Sequence, residues 1–496
     1  MNIADAVHAH AKARPDQTAI EDGKRAITYA EFAVMVDRAA TKLRERGIEA
    51  GDIIVVALPD TAEHIAVLFG LAKIGAISYS LDENLPDIEQ SKSLRGLKPK
   101  AAILRDAGRR FVDLVPIPLG AFFETASGAA PPAPATEPEA FDGGAPLMVI
   151  QSSGTTGAPK RLLLSHDQIV GRNSRLIATL QLGPSDRFLQ VLHLRFFLGR
   201  EGAIVTITVG GTIVLYHGGG AEDYLRYFSE RRITYVTLTP FHLRSVLSCV
   251  RSETPLWPTL RIQWSSAPLS PDERSQARRR LTPNLYETYG TNEAGDFTLT
   301  TPRDFELYPD SNGPLIEAIE AQIVDEHGAV LAFGQTGLIR LRGPYFPTEY
   351  LGDPEATARY FKDGWFYPGD LASLNQQGYV FLKGRADDVI NNSGAKFFPA
   401  EVEAVLIRHP STADVAVVGG PHALFGEVAV AYAVRTSPLT AKELHAFCKG
   451  KIAMYKAPQW IFFVDELPRV ATGKPDKKKL KATFVRYMET RDRRGE

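Results

Sequence analysis

The sequence predicts an α/β protein: a large N-terminal α/β region of several subdomains, then a small C-terminal α+β domain. Apolar strand-like runs alternate with amphipathic helical ones through the first third. A glycine- and hydroxyl-rich loop near residue 153 separates two apolar strands, and the residue pattern changes near residue 384. At 496 residues the chain has room for about two to four domains, each with its own core.

Thr28 and Glu31 have the spacing of a capping box, and Phe32, Met35, Ala39 and Leu43 then recur on one helical face until Gly47. Residues 52–58 (DIIVVAL) form the near-continuous apolar run of a parallel strand covered on both faces, and residues 61–70 read as the following helix. Residues 128–146 are rich in Pro, Ala and Gly and read as a surface loop within the larger unit. Past Lys383-Gly384-Arg385, two aspartates lead into a compact segment of about 110 residues, a normal domain size. Within it Pro399 suits a first helical turn, Glu401 and Glu403 favour its positive end, and Val402, Val405 and Leu406 line one face. Residues 414–418 and 428–434 read as strands, and Thr440 with Glu443 caps the next helix. The expected domains are therefore 1–386 and 387–496.

Composition narrows the function classes. Lys and Arg number 57 against 58 Asp and Glu, a formal charge of −1, so no global basic surface calls for nucleic acid or an anionic membrane. Apolar residues at 44% and charged ones at 23% exclude disordered, collagen-like and coiled-coil chains. Cys249 and Cys448 cannot build a disulfide framework or a four-sulfur zinc site, and their scarcity fits a reducing compartment. The most apolar stretch, residues 203–215, is broken by Thr206, Thr208, Gly210, Gly211 and Thr212 and is shorter than the ~20 residues of a spanning helix. The opening MNIADAVHAH lacks the basic and long apolar regions of a signal peptide, so a cytoplasmic location is expected.

The densest chemical signal lies in residues 147–166. An apolar strand runs into Ser152, Ser153, Gly154, Thr155, Thr156, Gly157 and Lys160, and a second apolar strand comes next. Glycine-exposed N–H groups, hydroxyl donors and a lysine charge together suit polyphosphate oxygens. This is not the P-loop of nucleoside triphosphatases. Gly154 and Gly157 are too close, Lys160 is followed by Arg161 instead of a hydroxyl residue, and a strand replaces the helix.

Further segments come in order: Ser265-Ser266-Ala267-Pro268, Tyr289-Gly290-Thr291-Asn292-Glu293, Gly369-Asp370, Gly384-Arg385-Ala386-Asp387 with Gly394 beyond it, and Thr472-Gly473-Lys474. With the loop, this succession resembles the adenylate-forming superfamily of acyl-CoA synthetases, adenylation domains and luciferases, and most closely a stand-alone acyl- or aryl-CoA ligase. The resemblance implies roles. Glu293 holds Mg²⁺, Asn292 lies beside the α-phosphate, and Tyr289, Gly290 and Thr291 belong to the same ATP- and AMP-binding segment. Ser266, Ala267 and Pro268 pack on adenine, while Asp370 and Arg385 hold the ribose. Asp387 is the hinge of a mobile C-terminal domain, Gly394 lies beside the CoA pantetheine path, and Lys474 is the catalytic lysine. Two half-reactions are implied. A carboxylate attacks the α-phosphorus of ATP to give an acyl-adenylate and pyrophosphate, with charge relieved by Lys474, Lys160 and Mg²⁺; a thiol then displaces AMP. Rotation about the hinge serves both steps with one site.

The acid itself is less legible. Counting back from the Gly210-Gly211 strand puts His193, Arg195, Phe196 and Phe197 at the acyl pocket, and no aspartate in residues 192–199 offers itself to the ammonium of an α-amino acid. Phe196 and Phe197 also read as core, and Arg195 or Arg200 as either a partner for a second polar group on the acid or a surface ion pair. Aromatic, fatty and dicarboxylic acids remain open. CoA is the expected acceptor because the chain ends soon after Lys474. A carrier protein in trans is the alternative, with a non-catalytic nucleotide-binding homologue behind it.

Overall fold

The computed structural model describes residues 2–106, 108–123, 142–152, 160–267, 269–422, 424–470 and 474–494. Most of the expected loop at 128–146 lies outside these residues, and its last member, Pro146, opens a strand.

Four sheets organise the described residues. The first runs Val115–Pro118, Ala101–Leu104, Ile53–Ala57, Ile77–Ser80, Pro146–Ser152, Lys160–Ser165, parallel up to the last pair, which is antiparallel. In the second, Leu285–Thr291, Arg261–Trp264, Tyr235–Leu238, Arg187–Gln190, Thr212–Leu215 and Thr18–Asp22 are parallel neighbours. Gly295–Thr300 and Arg25–Thr28 close its edges antiparallel. Central strands such as Tyr235–Leu238 and Thr212–Leu215 are buried throughout, as sheets covered on both faces require. A small antiparallel sheet spans residues 320–385. The fourth pairs Thr412–His422 with Gly426–Arg435 as one long hairpin, with Ile390–Asn392, Ala395–Phe397 and Trp460–Phe463 around it.

The helix starts are set by local chemistry. The Thr28 hydroxyl accepts from Glu31 N at 3.2 Å while Glu31 Oε2 accepts from Thr28 N at 2.8 Å, opening helix Tyr29–Glu45, with Phe32, Ala39 and Leu43 buried. Thr28→Ala removes half of this reciprocal cap and should lower unfolding stability by about 1 kcal/mol in chemical denaturation. The next helix, Ala62–Lys73, runs past Gly70, a glycine that serves packing and not termination: a Cβ there would lie 2.8 Å from Ala39 Cβ on helix Tyr29–Glu45. The apolar stretch at 203–215 divides into helix Phe197–Val209, a left-handed Gly210 and strand Thr212–Leu215. No helix among the described residues is long and apolar enough to cross a membrane.

The cores fall into two groups. One set of buried clusters joins residues between Ile3 and Val380, whereas those built on Phe397, Val417, Leu444 and Phe484 draw only on residues from 390 onward. Helix Pro399–Leu406, with Pro399 in its first turn and Val402, Val405 and Leu406 buried, packs against the second group. The chain thus has a large N-terminal domain and a smaller C-terminal one.

Candidate active site

In open α/β sheets, parallel strands share one carboxyl edge, and ligands bind in the crevice outside it. Strand Arg261–Trp264 leads at that edge to Ser265 and Ser266, and strand Leu285–Thr291 to Asn292 and Glu293. Ser265 donates to the Thr288 carbonyl at 3.2 Å. Ser266 has φ +82°, a left-handed backbone that costs a non-glycine residue about 1–3 kcal/mol and is occupied only where surrounding structure imposes it. Ala267 is exposed. Ser153, Gly154, Thr155, Thr156, Gly157 and Pro268 lie outside the described residues, as does the side chain of Ser152.

Asp370 is the centre of one cluster. It is buried at the start of strand Asp370–Leu374, and each carboxylate oxygen has a donor: the Tyr289 hydroxyl reaches Oδ2 at 2.5 Å and Arg385 Nη1 reaches Oδ1 at 3.1 Å. Arg385 also donates to the Pro368 carbonyl at 2.6 Å, a contact that a proline supplies as well as any residue. Burial, and then the charge of Asp370, hold the Tyr289 phenol well above its ordinary range, so it donates at any working pH. An ionised carboxylate has about four lone-pair positions, so two acceptor sites remain for a ligand.

Lys474 joins this cluster from the C-terminal domain. Its carbonyl accepts from Val470 N at 2.9 Å, and the neighbouring Arg469 lies over the Phe241 ring at 5.5 Å. The ammonium has electrostatic contact with both Asp370 and Arg385. Crowding in the cleft lowers its pKa first, Asp370 raises it and Arg385 lowers it, for a net decrease. Lys474 nonetheless keeps an exposed surface. Asp387, exposed in the turn Ala386–Asp388, lies within electrostatic reach of Arg385. Gly394 has φ +91° at a hairpin tip with open space around it, a backbone that glycine adopts freely.

Glu293 is the centre of a second cluster. The Tyr350 hydroxyl donates to its Oε1 at 2.7 Å, and the Lys160 ammonium sits over the rings of Tyr360 and Tyr350 at 3.3 and 5.2 Å, so Tyr350 links the lysine to the carboxylate. Asn292 Nδ2 donates to the Gln151 carbonyl at 2.6 Å, tying this turn to the strand that enters the hydroxyl-rich loop. Gly290 has no room for a side chain: a Cβ would lie 2.5 Å from Gly295 O and 2.7 Å from Asp296 Cα, both backbone atoms. Gly290→Ala should therefore cost about 1–3 kcal/mol in denaturant unfolding and displace the Glu293 turn. Below this turn lies a buried carboxyl pair. Burial and then Asp296 push Glu201 up to about 8, while burial raises Asp296 itself.

The segment before helix Phe197–Val209 separates into different environments. His193 Nδ1 meets Asp60 Oδ2 at 2.5 Å, while Asp60 Oδ1 accepts from Leu194 N at 2.9 Å. Arg195 pairs with Asp82 at 3.1 Å, partly exposed, and stacks on Phe196 at 4.9 Å. Phe197 packs against the main core. Arg200 corrects the expectation of a surface pair. It is 3% exposed on the first turn of the helix, and its Nη1 donates to the carbonyls of Leu194 and Arg195, so it shapes the loop from within. Tyr350, Asp60 and Arg172, whose guanidinium donates to the carbonyls of Asn292 and Glu293, are absent from the residues expected from sequence; each reaches the site from a distant segment with no local motif around it.

The family model described as AMP-binding enzyme matches residues 7–351, and AMP-binding enzyme C-terminal domain matches residues 401–474. The chain is 29% identical to the indoleacetate–CoA ligase of Aromatoleum aromaticum, covering 99% of this chain and 100% of that one. It is similar to the o-succinylbenzoate CoA synthetase of Bacillus subtilis in complex with its acyl-adenylate intermediate, with a TM-score of 0.86 and 25% identity, covering 96% of this chain and 97% of that one. For ATP-bound MatB of Rhodopseudomonas palustris the TM-score is 0.87 at 25% identity, covering 98% and 99% of the two chains. With over half its length matched by one family model, the chain belongs to the AMP-binding enzyme family.

Proposed function

We propose that the protein activates an aromatic carboxylic acid with ATP, giving an acyl-adenylate and pyrophosphate, and then transfers the acyl group to CoA with release of AMP. The observation that carries this reading is the meeting of Lys474, from one domain, with Asp370 and Arg385 of the other. The free acceptor positions of Asp370 suit the two ribose hydroxyls. Lys474 then stands where negative charge builds as the carboxylate oxygen approaches the α-phosphorus, and a fixed cation there lowers the barrier. Glu293 fits Mg²⁺, which takes one or two protein carboxylates and completes its shell with water and substrate phosphates. That ion supplies positive charge to the polyphosphate. Lys160 adds charge on the same side, and residues 152–157 supply hydroxyl and main-chain donors. Ser266, Ala267 and Pro268 form the adenine side of the site. In the second step the thiol sulfur bonds to the acyl carbon, the carbon–oxygen bond to AMP breaks, and the thiol proton passes to solvent.

The domain boundary is taken at 386/387, supported by the separate cores, with rotation about Asp387 withdrawing Lys474 and turning the Gly394 loop to the CoA path. An aromatic acid is favoured by the names of the indoleacetate and o-succinylbenzoate relatives and by Phe196 beside His193 and Arg195. A cytoplasmic setting suits two unpaired cysteines, Cys249 and Cys448.

The lowered ammonium pKa gives a pH prediction. Only protonated Lys474 supplies the charge, so kcat/KM for adenylate formation should fall on the alkaline side, at a pH below the ordinary lysine value, and Lys474→Arg should move that limb upward. ATP–pyrophosphate exchange against aromatic, fatty, amino and dicarboxylic acids, with and without CoA, tests the whole reading. Exchange with aromatic acids and CoA-dependent thioester is expected. Exchange without thioester would move the acceptor to a carrier protein, and no exchange with any acid would contradict the activity.

A further inference from the structure

We propose that Arg172 is a positioning residue for the metal-binding turn: one half-buried guanidinium sets both the backbone of Glu293 and the loop that carries the tyrosine holding its carboxylate. Arg172 lies on helix His166–Leu180, which continues directly from strand Lys160–Ser165 and is fixed at its start by the reciprocal Ser165–Gln168 cap. All five guanidinium N–H groups lie in one plane, so the group can bridge several acceptors at fixed angles. Here Nη1 donates to the Asn292 carbonyl at 3.0 Å, Nη2 to the Glu293 carbonyl at 2.5 Å, and Nε to the Tyr345 carbonyl at 3.1 Å. The first two bonds grip the turn Asn292–Glu293 itself. The third grips the segment that runs on to Tyr350, whose hydroxyl holds Glu293 Oε1.

The surroundings are shaped for this grip. Gly171 lets the Tyr345 ring lie against the helix, since a Cβ there would be 2.3 Å from that ring. Gly295, with φ +68°, brings the chain back so closely that a Cβ would touch Arg172 Cδ at 3.0 Å. Burial lowers the Arg172 pKa, and the nearby carboxyl groups of Glu201, Glu293 and Asp296 oppose that shift. Each of its three hydrogen bonds goes to a main-chain carbonyl, so Arg172 acts on the nucleotide through the placement of the turn Asn292–Glu293 and of the carboxylate it carries.

This inference rests on the reading of Glu293 as the Mg²⁺ ligand, and its test needs no acid substrate. ATP binding is measured by calorimetry on the full chain with Mg²⁺ and in EDTA, for the wild type, Arg172→Gln and Arg172→Lys, with melting temperatures alongside. Lysine keeps the positive charge but cannot reach three carbonyls. Both variants should bind Mg²⁺-ATP at least tenfold more weakly than the wild type while affinity in EDTA changes less than twofold. If Arg172→Gln does not fold, Arg172→Lys alone decides. Equal losses with and without Mg²⁺, or wild-type Mg²⁺ dependence in Arg172→Lys, would overturn the assignment. A wild type that binds Mg²⁺-ATP normally but activates no acid would instead count against the proposed activity.

Discussion

Lys474→Ala should reduce ATP–pyrophosphate exchange by about 100- to 1,000-fold, the scale for removing one fixed group that stabilises charge developing in a transition state. It should leave thioester formation from pre-made acyl-adenylate nearly unchanged. The split comes from the chemistry of the two steps. In the first, two anions approach each other, and the Lys474 ammonium, beside Asp370 and Arg385, is the C-terminal domain's charge at that place. In the second, AMP is already a good leaving group and the attacking thiol needs the lysine out of its path. The variant should fold normally, because the Lys474 side chain is exposed. Rapid-quench assays of each half-reaction check the prediction, and equal loss in both steps would refute the division of roles.

Asp370→Asn should weaken AMP and ATP binding by about 10- to 100-fold, since hydrogen bonds to a charged group contribute about 1.5–3 kcal/mol each. The amide keeps the shape of the carboxylate but turns one acceptor into a donor. Whichever way it rotates, it presents an N–H toward either the Tyr289 hydroxyl or Arg385, both of which now donate to Asp370. The site then loses its negative charge and its defined geometry together. Calorimetric titration with AMP, which needs no acid, measures the loss. Retained affinity would show that the ribose is held elsewhere.

The parts of this molecule that were legible in the sequence are those set by local chemistry. The Thr28–Glu31 and Thr440–Glu443 caps, the apolar run at Ile53–Ala57 and Pro399 at a first turn each depend on a few neighbouring residues. Strand ends were harder. Residues 414–418 and 428–434 grow into Thr412–His422 and Gly426–Arg435 because each strand extends the other by pairing, which neither segment announces alone. In the candidate site, Asp370, Glu293 and Lys474 stood out through the company of their motifs. Their partners did not. Tyr350 reaches Glu293 across 57 residues and Arg172 reaches Asn292 across 120, and an isolated tyrosine or arginine has no signature until the fold brings its target near. Arg200 misled for the converse reason: an arginine bonded to carbonyls of its own loop looks in sequence like any surface cation.

The most direct test of the central claim traces one oxygen atom. The acid that supports exchange is supplied with both carboxylate oxygens as oxygen-18, together with ATP, Mg²⁺ and CoA, and the products are analysed by mass spectrometry. Attack of the carboxylate on the α-phosphorus, followed by thiol displacement at the acyl carbon, leaves one labelled oxygen on AMP and one in the thioester. Labelled AMP with unlabelled pyrophosphate is the predicted result; label in inorganic phosphate, with ADP in place of AMP, would contradict it.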